Sequence, residues 1–566
     1  MTRNPIRLFF ALCAAAPFLA AQPDPQRLVP PGDSPLLQSP TFPQQAFFRQ
    51  YFGKEIPRVD LLPPVRFQDF LIGDKLELSL RSYLELVLAN NTDVTIQRLS
   101  VERFKNAITR SYGRFDPQFF ASFSAIRARQ QANSIIQGAN VLSTLNQPFA
   151  ANYSQTLESG TDFQVGFNAR KTSTNDAFTT FNPAITSALN VQFSQPLWRN
   201  RGSYVNRIPV MIASSRLRRS EYDMKDQLIQ ILQRAELAYW QVVQMREFLR
   251  VQEGSLQVAG EFLKRSQREL ELGAISALDI YQPQQNYANA EVRVTQARYQ
   301  LQQAEDQLRR QMAADLDPEI RNLPIVLTET VQTPSDDRPL DKELYVETAY
   351  QKRPDLRAQL QDLDVDDLNY QQAKNALKPD FALTGQFTSN GRGGNFIPRS
   401  NNLGTGITLA NQLIPGGFGD ALNYVFGFDF PTYQMGLQLR LPLRNRAAQA
   451  DLADAVVSKR LNSLRARNIQ QAIRQDVLNA VTRVESSRAG VKLAQVALDF
   501  SLKRLDAEQK RYDLGVSTIF LLIQAQQDLI SAQAEVVTQS VQYRRDLLNL
   551  ERVTGNLLES RGVVVE

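Results

Sequence analysis

The chain has 566 residues, and its 64 lysines and arginines outnumber its 58 aspartates and glutamates to give a formal net charge of +6. Basic and acidic residues are interspersed, which argues against a nucleic-acid-binding surface. Histidine is absent, so the commonest general base and the commonest metal ligand are excluded from any site.

The N-terminal segment has the pattern of a secretory signal peptide. Arg3 and Arg7 precede the apolar run LFFALCAAAPFLAAQ, which ends in small residues near position 21. We therefore expect a signal peptide over residues 1–21, with a buried N-terminal helix as the alternative. The single cysteine, Cys13, lies inside this segment, and lipid attachment there is disfavoured because the preceding Leu12 is not small. A mature chain without cysteine would form no disulfide bond.

Residues 22–74 are rich in proline and lack periodicity, and we expect them to form an extended or disordered lead-in. The spacing of apolar residues then predicts one helix over residues 78–91 and a second from Asp93 to about Gly113. No apolar run of about 20 residues follows the N-terminal segment, which argues against a membrane-spanning helix.

Alternating residues next predict β-strands with one apolar and one polar face. In residues 188–197, Leu189, Val191 and Phe193 alternate with asparagine, glutamine and serine. The same alternation occurs in four further segments, residues 116–128, 162–171, 380–390 and 433–443. Strands of this kind occur in a β-sandwich, or in a barrel with lipid outside and water inside.

Long helices occupy much of the remaining chain. No proline occurs between Pro209 and Pro283 or after Pro442, and a helix from about 210 to 270 would be roughly 90–100 Å long. An apolar seam at steps of four and three follows this helix and recurs in the second half, where Arg488 matches Arg246. The seam positions of the first helix are Ala235, Tyr239, Val242, Arg246, Leu249, Glu253, Leu256, Gly260 and Leu263. Such a seam indicates coiled-coil packing against other long helices.

Further matches indicate that the chain is an internal duplication. The strand-to-helix junctions QPLWRNR and LPLRNR occur once in each half, as do the turns ELGAIS (271–276) and DLGVST (513–518). Asp93 and Pro117 likewise correspond to Asp355 and Pro379. The expected organisation is a first repeat over residues 75–312, a linker over 313–340, a second repeat over 341–557 and a tail over 558–566.

These motifs, in this order and in duplicate, resemble the TolC-type outer-membrane efflux protein family over residues 75–557. The resemblance implies an internally duplicated α+β membrane protein that forms a homotrimer. Each chain would give four strands to a shared 12-stranded transmembrane β-barrel in outer-membrane lipid, and the helices would form a coiled-coil tunnel in the periplasm of a Gram-negative-type bacterium. The implied function is the outer-membrane channel of a tripartite efflux or type I secretion system, which passively conducts small molecules or polypeptides. Its partners would be a periplasmic adaptor (membrane fusion protein) and an inner-membrane transporter.

The resemblance also implies site residues at the helix tips. In the family, acidic side chains six and nine residues past the turn glycine narrow the tunnel, and the corresponding positions here are Asp279, Gln282, Leu521 and Gln524. Since only Asp279 is acidic, we expect a weaker cation preference and a gate closed partly by apolar contact. Tyr512 matches a tyrosine that helps to hold the tip closed. The alternatives are a solvated helix residue for Asp279 and ordinary packing for Tyr512.

The turns themselves are the candidate docking surface for the adaptor. The residues concerned are Leu272, Gly273, Ala274, Leu514, Gly515 and Val516.

Two other classes of protein are alternatives. A periplasmic coiled-coil adaptor without its own pore would share the long helices, but the duplicated two-faced strands disfavour it. A secreted enzyme with a coiled-coil stalk would need catalytic groups, and the sequence shows no catalytic constellation. The glycine-rich NGRGGN (390–395) lies between predicted strands rather than before a helix, so it does not fit a phosphate-binding loop. No cofactor, metal or catalytic residue is expected.

Overall fold

The computed structural model describes residues 67–72, 75–132, 137–177, 179–273, 275–316, 320–330, 339–398 and 413–563. The chain divides into two units, Met1–Pro64 and Val65–Glu566, and all described residues belong to the second. The expected signal peptide, Cys13 and the docking candidate Ala274 lie outside the described residues.

Groups of strands alternate with groups of helices along the chain. Those of the first half are β1 (Leu71–Ile72), β2 (Lys75–Leu78), α1 (Leu80–Asn90), α2 (Thr92–Tyr112), β3 (Gln118–Phe123), β4 (Ile126–Gln131), β5 (Val141–Thr156), β6 (Asp162–Thr174), β7 (Phe181–Pro196), α3 (Ser203–Asn206), α4 (Ile208–Glu271), α5 (Tyr281–Gln311) and β8 (Ile325–Leu327). Those of the second half are α6 (Lys342–Lys352), α7 (Pro354–Ala376), β9 (Asp380–Phe396), α8 (Phe418–Gly427), β10 (Pro431–Arg440), α9 (Arg446–Asp513), α10 (Ile519–Val553) and α11 (Leu557–Ser560).

The first two helices lie close to where the sequence predicts them. Helix α1 begins two residues later than expected, after Ser79, whose hydroxyl accepts a hydrogen bond from the backbone of the first turn. Leu78 belongs to β2 instead, because it pairs with Leu327 of β8 in a parallel ladder and is fully buried there.

The large sheet is antiparallel throughout, in the order β10-β9-β7-β6-β5-β3, with β4 also paired to β5. β3 and β4 pair with successive parts of β5, since Phe123 lies opposite Phe149 and Ile126 opposite Asn146. They therefore fill one strand position, and the sheet has six positions within the described part of one chain.

The four strands per chain that the resemblance implied are thus corrected to six. The strand that the sequence did not predict is β5, because Pro148 interrupts it and its apolar residues do not alternate. A proline is tolerated in this place because it lies opposite the break between β3 and β4, where it is not required to donate a ladder hydrogen bond.

The expected two faces of the sheet are confirmed by the register, because cross-strand partners share a face. Val191 of β7 pairs with Val165 of β6 and with Phe387 of β9, and we call their side the apolar face. The opposite, polar face carries a row of four glutamines in register, one each from β6, β7, β9 and β10: Gln164, Gln192, Gln386 and Gln434.

The short helix α8 packs on the apolar face. The hydroxyl of Ser187 donates to the carbonyl oxygen of Ala421 at 3.0 Å, and that of Ser389 donates to the carbonyl oxygen of Val425 at 2.7 Å. Gly391 permits this close approach, because a Cβ there would lie 1.9 Å from the Ala421 oxygen.

The long helices predicted by the duplicated pattern are present in both halves. Helix α4 has 64 residues and α9 has 68, which corresponds to roughly 95 and 100 Å. Helix α4 packs against α2, α5, α7 and α10, and α9 packs against α6, α7 and α10. No helix in the described part of the chain combines the length and the apolar character that crossing a bilayer requires.

The seam of α4 is confirmed in its first part and wrong in its second. Ala235, Tyr239 and Val242 are buried as expected. Beyond Leu249 the buried residues are Gln252, Ser255, Ala259 and Phe262, each one position before the expected Glu253, Leu256, Gly260 and Leu263. The packed face of α4 therefore shifts by one position around the helix between its first and second parts.

Candidate functional site

The two long helices end beside each other in turns of the same design. Gly273 follows α4 with φ +72° and Gly515 follows α9 with φ +75°, both in the left-handed region that favours glycine. At the second turn the Gly515 N–H donates to the Tyr512 carbonyl oxygen at 2.9 Å, and the Val516 N–H donates to that of Arg511 at 2.9 Å. This pair of bonds closes the last turn of the helix, as in a Schellman motif.

The docking candidates in the turns are exposed. The exposed fraction is 83% for Leu272, 79% for Leu514 and 67% for Val516. An ideal Cβ on Gly273 or Gly515 would meet nothing within 4 Å. The turns therefore present apolar side chains and the bare Cα atoms of two glycines outward.

Side chains of α4 and α9 are linked across the tip. The Arg265 guanidinium donates to Glu269 Oε1 and to Asp513 Oδ1, each at 2.9 Å. It also lies 5.4 Å from the centroid of the Tyr512 ring, and the Tyr512 hydroxyl donates to Glu269 Oε2 at 3.1 Å. The ring of Phe262 lies 6.1 Å from that of Tyr512. We call Arg265, Glu269, Tyr512 and Asp513 the tip cluster.

The electrostatics of the tip cluster favour a charged arginine and a neutral tyrosine. Hydrogen bonds to Glu269 and Asp513 raise the pKa of Arg265. Burial, followed by the nearby charge of Glu269, raises the pKa of Tyr512 to about 12. Both groups therefore keep these protonation states at neutral pH.

The four positions expected at the constriction are placed separately. Asp279 is exposed just before α5, where its carboxylate accepts a hydrogen bond from the Ser276 N–H at 3.2 Å. Gln282 is half-buried on α5, and Leu521 and Gln524 are exposed on α10. Within the described residues no hydrogen bond or ion pair joins these four to one another.

Sequence reasoning singled out Tyr512 but missed its partners. Arg265 and Glu269 are four residues apart on one helix, which is a recognisable ion-pair spacing. Asp513, by contrast, is 248 residues from Arg265 along the chain, so only the packing of the two halves shows that they meet.

Residues 345–556 match the family model described as outer membrane efflux protein. The second half of the chain thus has the sequence pattern of an outer membrane efflux protein. A relative, the pyoverdine export outer membrane protein OpmQ of Pseudomonas aeruginosa, is 24% identical over 431 residues, covering 73% of this chain and 77% of that protein.

Solved structures of outer membrane channels share the fold. The Campylobacter jejuni CmeC channel has a TM-score of 0.58 at 15% identity, covering 84% of this chain and 86% of its own. VceC from Vibrio cholerae has a TM-score of 0.57 at 13% identity, covering 84% of this chain and 96% of its own. CusC has a TM-score of 0.58 at 13% identity, covering 88% and 99%. The family, the α+β fold class and the outer-membrane location predicted from the sequence are confirmed.

Proposed function

We propose that this outer membrane efflux protein is the export channel of a tripartite efflux or type I secretion system, and that it conducts small molecules or polypeptides passively. The observation that carries the proposal is the continuity of a two-faced sheet with two helices of roughly 95 and 100 Å. The apolar face suits lipid and the row of glutamines suits a water-filled passage. The name of OpmQ describes pyoverdine export, which supports small-molecule cargo. The family is one of transport proteins rather than enzymes.

The channel would be a homotrimer. In one chain the outer edges of the sheet are β3–β4 and β10, whose side chains are exposed along almost their whole length. A lipid-exposed sheet edge leaves backbone N–H and C=O groups without partners, which a membrane does not tolerate. Pairing the edge of one copy with the opposite edge of the next satisfies them and closes a barrel. The two repeats, residues 75–312 and 341–557 joined by a linker over 313–340, would each contribute one long helix to the tunnel.

The tunnel would be closed at the helix tips by the tip cluster. Arg265 joins α4 to α9 through Asp513, so separating the two helix ends requires breaking an ion pair in each chain. Asp279, Gln282, Leu521 and Gln524 would line the constriction, with Asp279 supplying its acidic ring.

The tip turns would dock the partners. Leu272, Gly273, Leu514, Gly515 and Val516 project outward at the end of the helices, where they can enter apolar pockets of a periplasmic adaptor. The adaptor would in turn join the channel to an inner-membrane transporter.

Conductance through planar lipid bilayers tests the proposed function. Protein extracted from outer membranes in mild detergent should insert and give discrete single-channel steps. Protein that is released from membranes by alkaline carbonate alone, and that gives no conductance, would instead be peripheral, and the channel function would be rejected.

A further inference from the structure

The six strand positions of this chain have a consequence for the width of the pore. The hairpin of β5 and β6 is an integral part of the sheet, because β5 pairs with β3 and β4 on one side and β6 pairs with β7 on the other. β3 and β7 are thereby separated by two strands. If the hairpin left the wall while β3, β4 and β7 kept their places, β3 and β4 would lose their partner within the chain and β7 would keep only β9.

The hairpin carries the same two faces as the rest of the sheet. On the apolar side Phe149 pairs with Ala169, and Tyr153 pairs with Val165. On the polar side Asn152 lies opposite Gly166 and Ser154 lies opposite Gln164. From Phe149 and Ala169 to the turn, both strands therefore suit a wall between lipid and water. Beyond them the same side becomes polar at Gln147 and Lys171.

The turn between the two strands is held at the end of the sheet where the long helices begin. The Gly202 N–H, just before α3, donates to the Ser159 carbonyl oxygen at 3.1 Å. The Thr161 hydroxyl hydrogen-bonds to Gln195 of β7. These contacts fix the hairpin to the strand-to-helix junction.

The directions of the edge strands also allow the six-position sheets of neighbouring copies to join into a closed barrel. The strands alternate in direction across the sheet, so β3–β4 at one edge runs opposite to β10 at the other. The edge of one copy can consequently pair antiparallel with the edge of the next.

We propose that the trimer forms an eighteen-stranded barrel, three copies of six positions, in place of a twelve-stranded one. This inference rests on the proposed function. Barrel diameter grows roughly linearly with strand number, so the pore through the outer membrane is about 1.5 times as wide as that of a twelve-stranded barrel. The additional width is lined by the polar face of β5 and β6, on which Arg170 and Asp162 are charged and the other polar side chains are neutral.

Particle imaging of the detergent-extracted trimer at strand resolution tests the inference, together with a spliced variant. In the variant, residues 138–176 are removed and Gln137 is joined directly to Ala177. The splice suits the structure because the Ala177 N–H already donates to the Gln137 carbonyl oxygen at 3.1 Å. The unmodified trimer should show eighteen strands, and the spliced trimer should show twelve and a diameter about two-thirds as large.

A three-fold tube with twelve strands and the hairpin outside the wall would overturn this inference and leave the proposed function standing. An unchanged diameter in the spliced variant would overturn it as well. If the spliced variant does not assemble, the strand count of the unmodified trimer decides. A particle without a membrane-embedded tube would contradict the proposed function and this inference together.

Discussion

Replacing Arg265 with alanine is expected to open the tip of the channel. Its guanidinium bonds to Glu269 and Asp513, each at 2.9 Å, and lies 5.4 Å from the centroid of the Tyr512 ring. The Arg265 side chain is 45% exposed, so its ion pair with Asp513 contributes about 0.5 kcal/mol and its cation–π contact with Tyr512 about 0.5 kcal/mol. Its pair with Glu269 lies within α4 and persists when the two helix ends separate.

The sum of about 1 kcal/mol corresponds to about fivefold in the closed-to-open equilibrium of one chain. If the three chains open together, the free energies add to about 3 kcal/mol, on the order of a hundredfold. Raising the salt from about 0.1 to 1 M shortens the Debye length from about 10 to 3 Å, so it should reduce the difference between variant and wild type.

The assay is the open probability of single channels in planar bilayers. The matched control is Arg268→Ala, which removes the same charge three residues away, where the arginine side chain makes no hydrogen bond or ion pair to another described residue. Arg265→Ala should raise the open probability at least about fivefold, while Arg268→Ala should stay near wild type. Equal open probabilities in the two variants would refute the proposal that the tip cluster holds the channel closed.

Four further outcomes are expected. The pKa of Tyr512 is raised to about 12 from an ordinary value of 10.0, so its neutral hydroxyl stabilises the closed tip fully below pH 10, and this contribution is lost as pH rises toward 12. The open probability should climb over that pH window in wild type and less in Tyr512→Phe, and equal pH profiles would contradict this role of the hydroxyl. The double variant Gly273→Val and Gly515→Val should strain the left-handed backbone by roughly 1–2 kcal/mol at each turn and abolish export without loss of the trimer. Gly254→Ala in the interior of α4 is the control, and normal export by the double variant would show that the turns do not dock the adaptor. Gly391→Val should displace α8 and expose it to protease, whereas Gly419→Ala, whose Cβ meets nothing within 4 Å, should not. Asp279→Asn should lower cation selectivity, measured as a reversal potential in a salt gradient, and an unchanged potential would leave its bond to Ser276 as its only role.

Features that depend on local spacing could be predicted from the sequence. The absence of proline and the repeated apolar seam were sufficient to predict α4 and α9, because helix formation needs only nearby residues. The glycines at positions 273 and 515 were likewise recognisable, and both have positive φ. Alternation of side chains predicted the two faces of the sheet, since strand periodicity is also local.

Features that depend on contacts between distant segments could not be predicted. β5 was missed because Pro148 argues against a strand, and only the break in its partner strand explains why it is tolerated. The number of strands was taken from the resemblance and not counted from the chain, so the additional hairpin was not recognised. The tip cluster joins residues of the two halves, and neither Arg265 nor Asp513 shows its partner by sequence position.

In the proposed channel, copies of this chain close one wall by joining β3–β4 to β10, and disulfide cross-linking tests this closure most directly. In a Cys13→Ser background, Phe119→Cys on β3 is combined in turn with Met435→Cys, Leu437→Cys or Leu439→Cys on β10. Phe119 pairs with Tyr153 and Leu437 pairs with Leu383, so all four positions belong to the apolar face.

Within one chain the two edges lie at opposite sides of the sheet, so a bond between them must join two copies. At least one of the double variants should give covalently linked dimers and trimers on a non-reducing gel after oxidation in outer membranes, and each single variant should give no trimers. Monomers alone in all three double variants would contradict the closed wall on which the account depends.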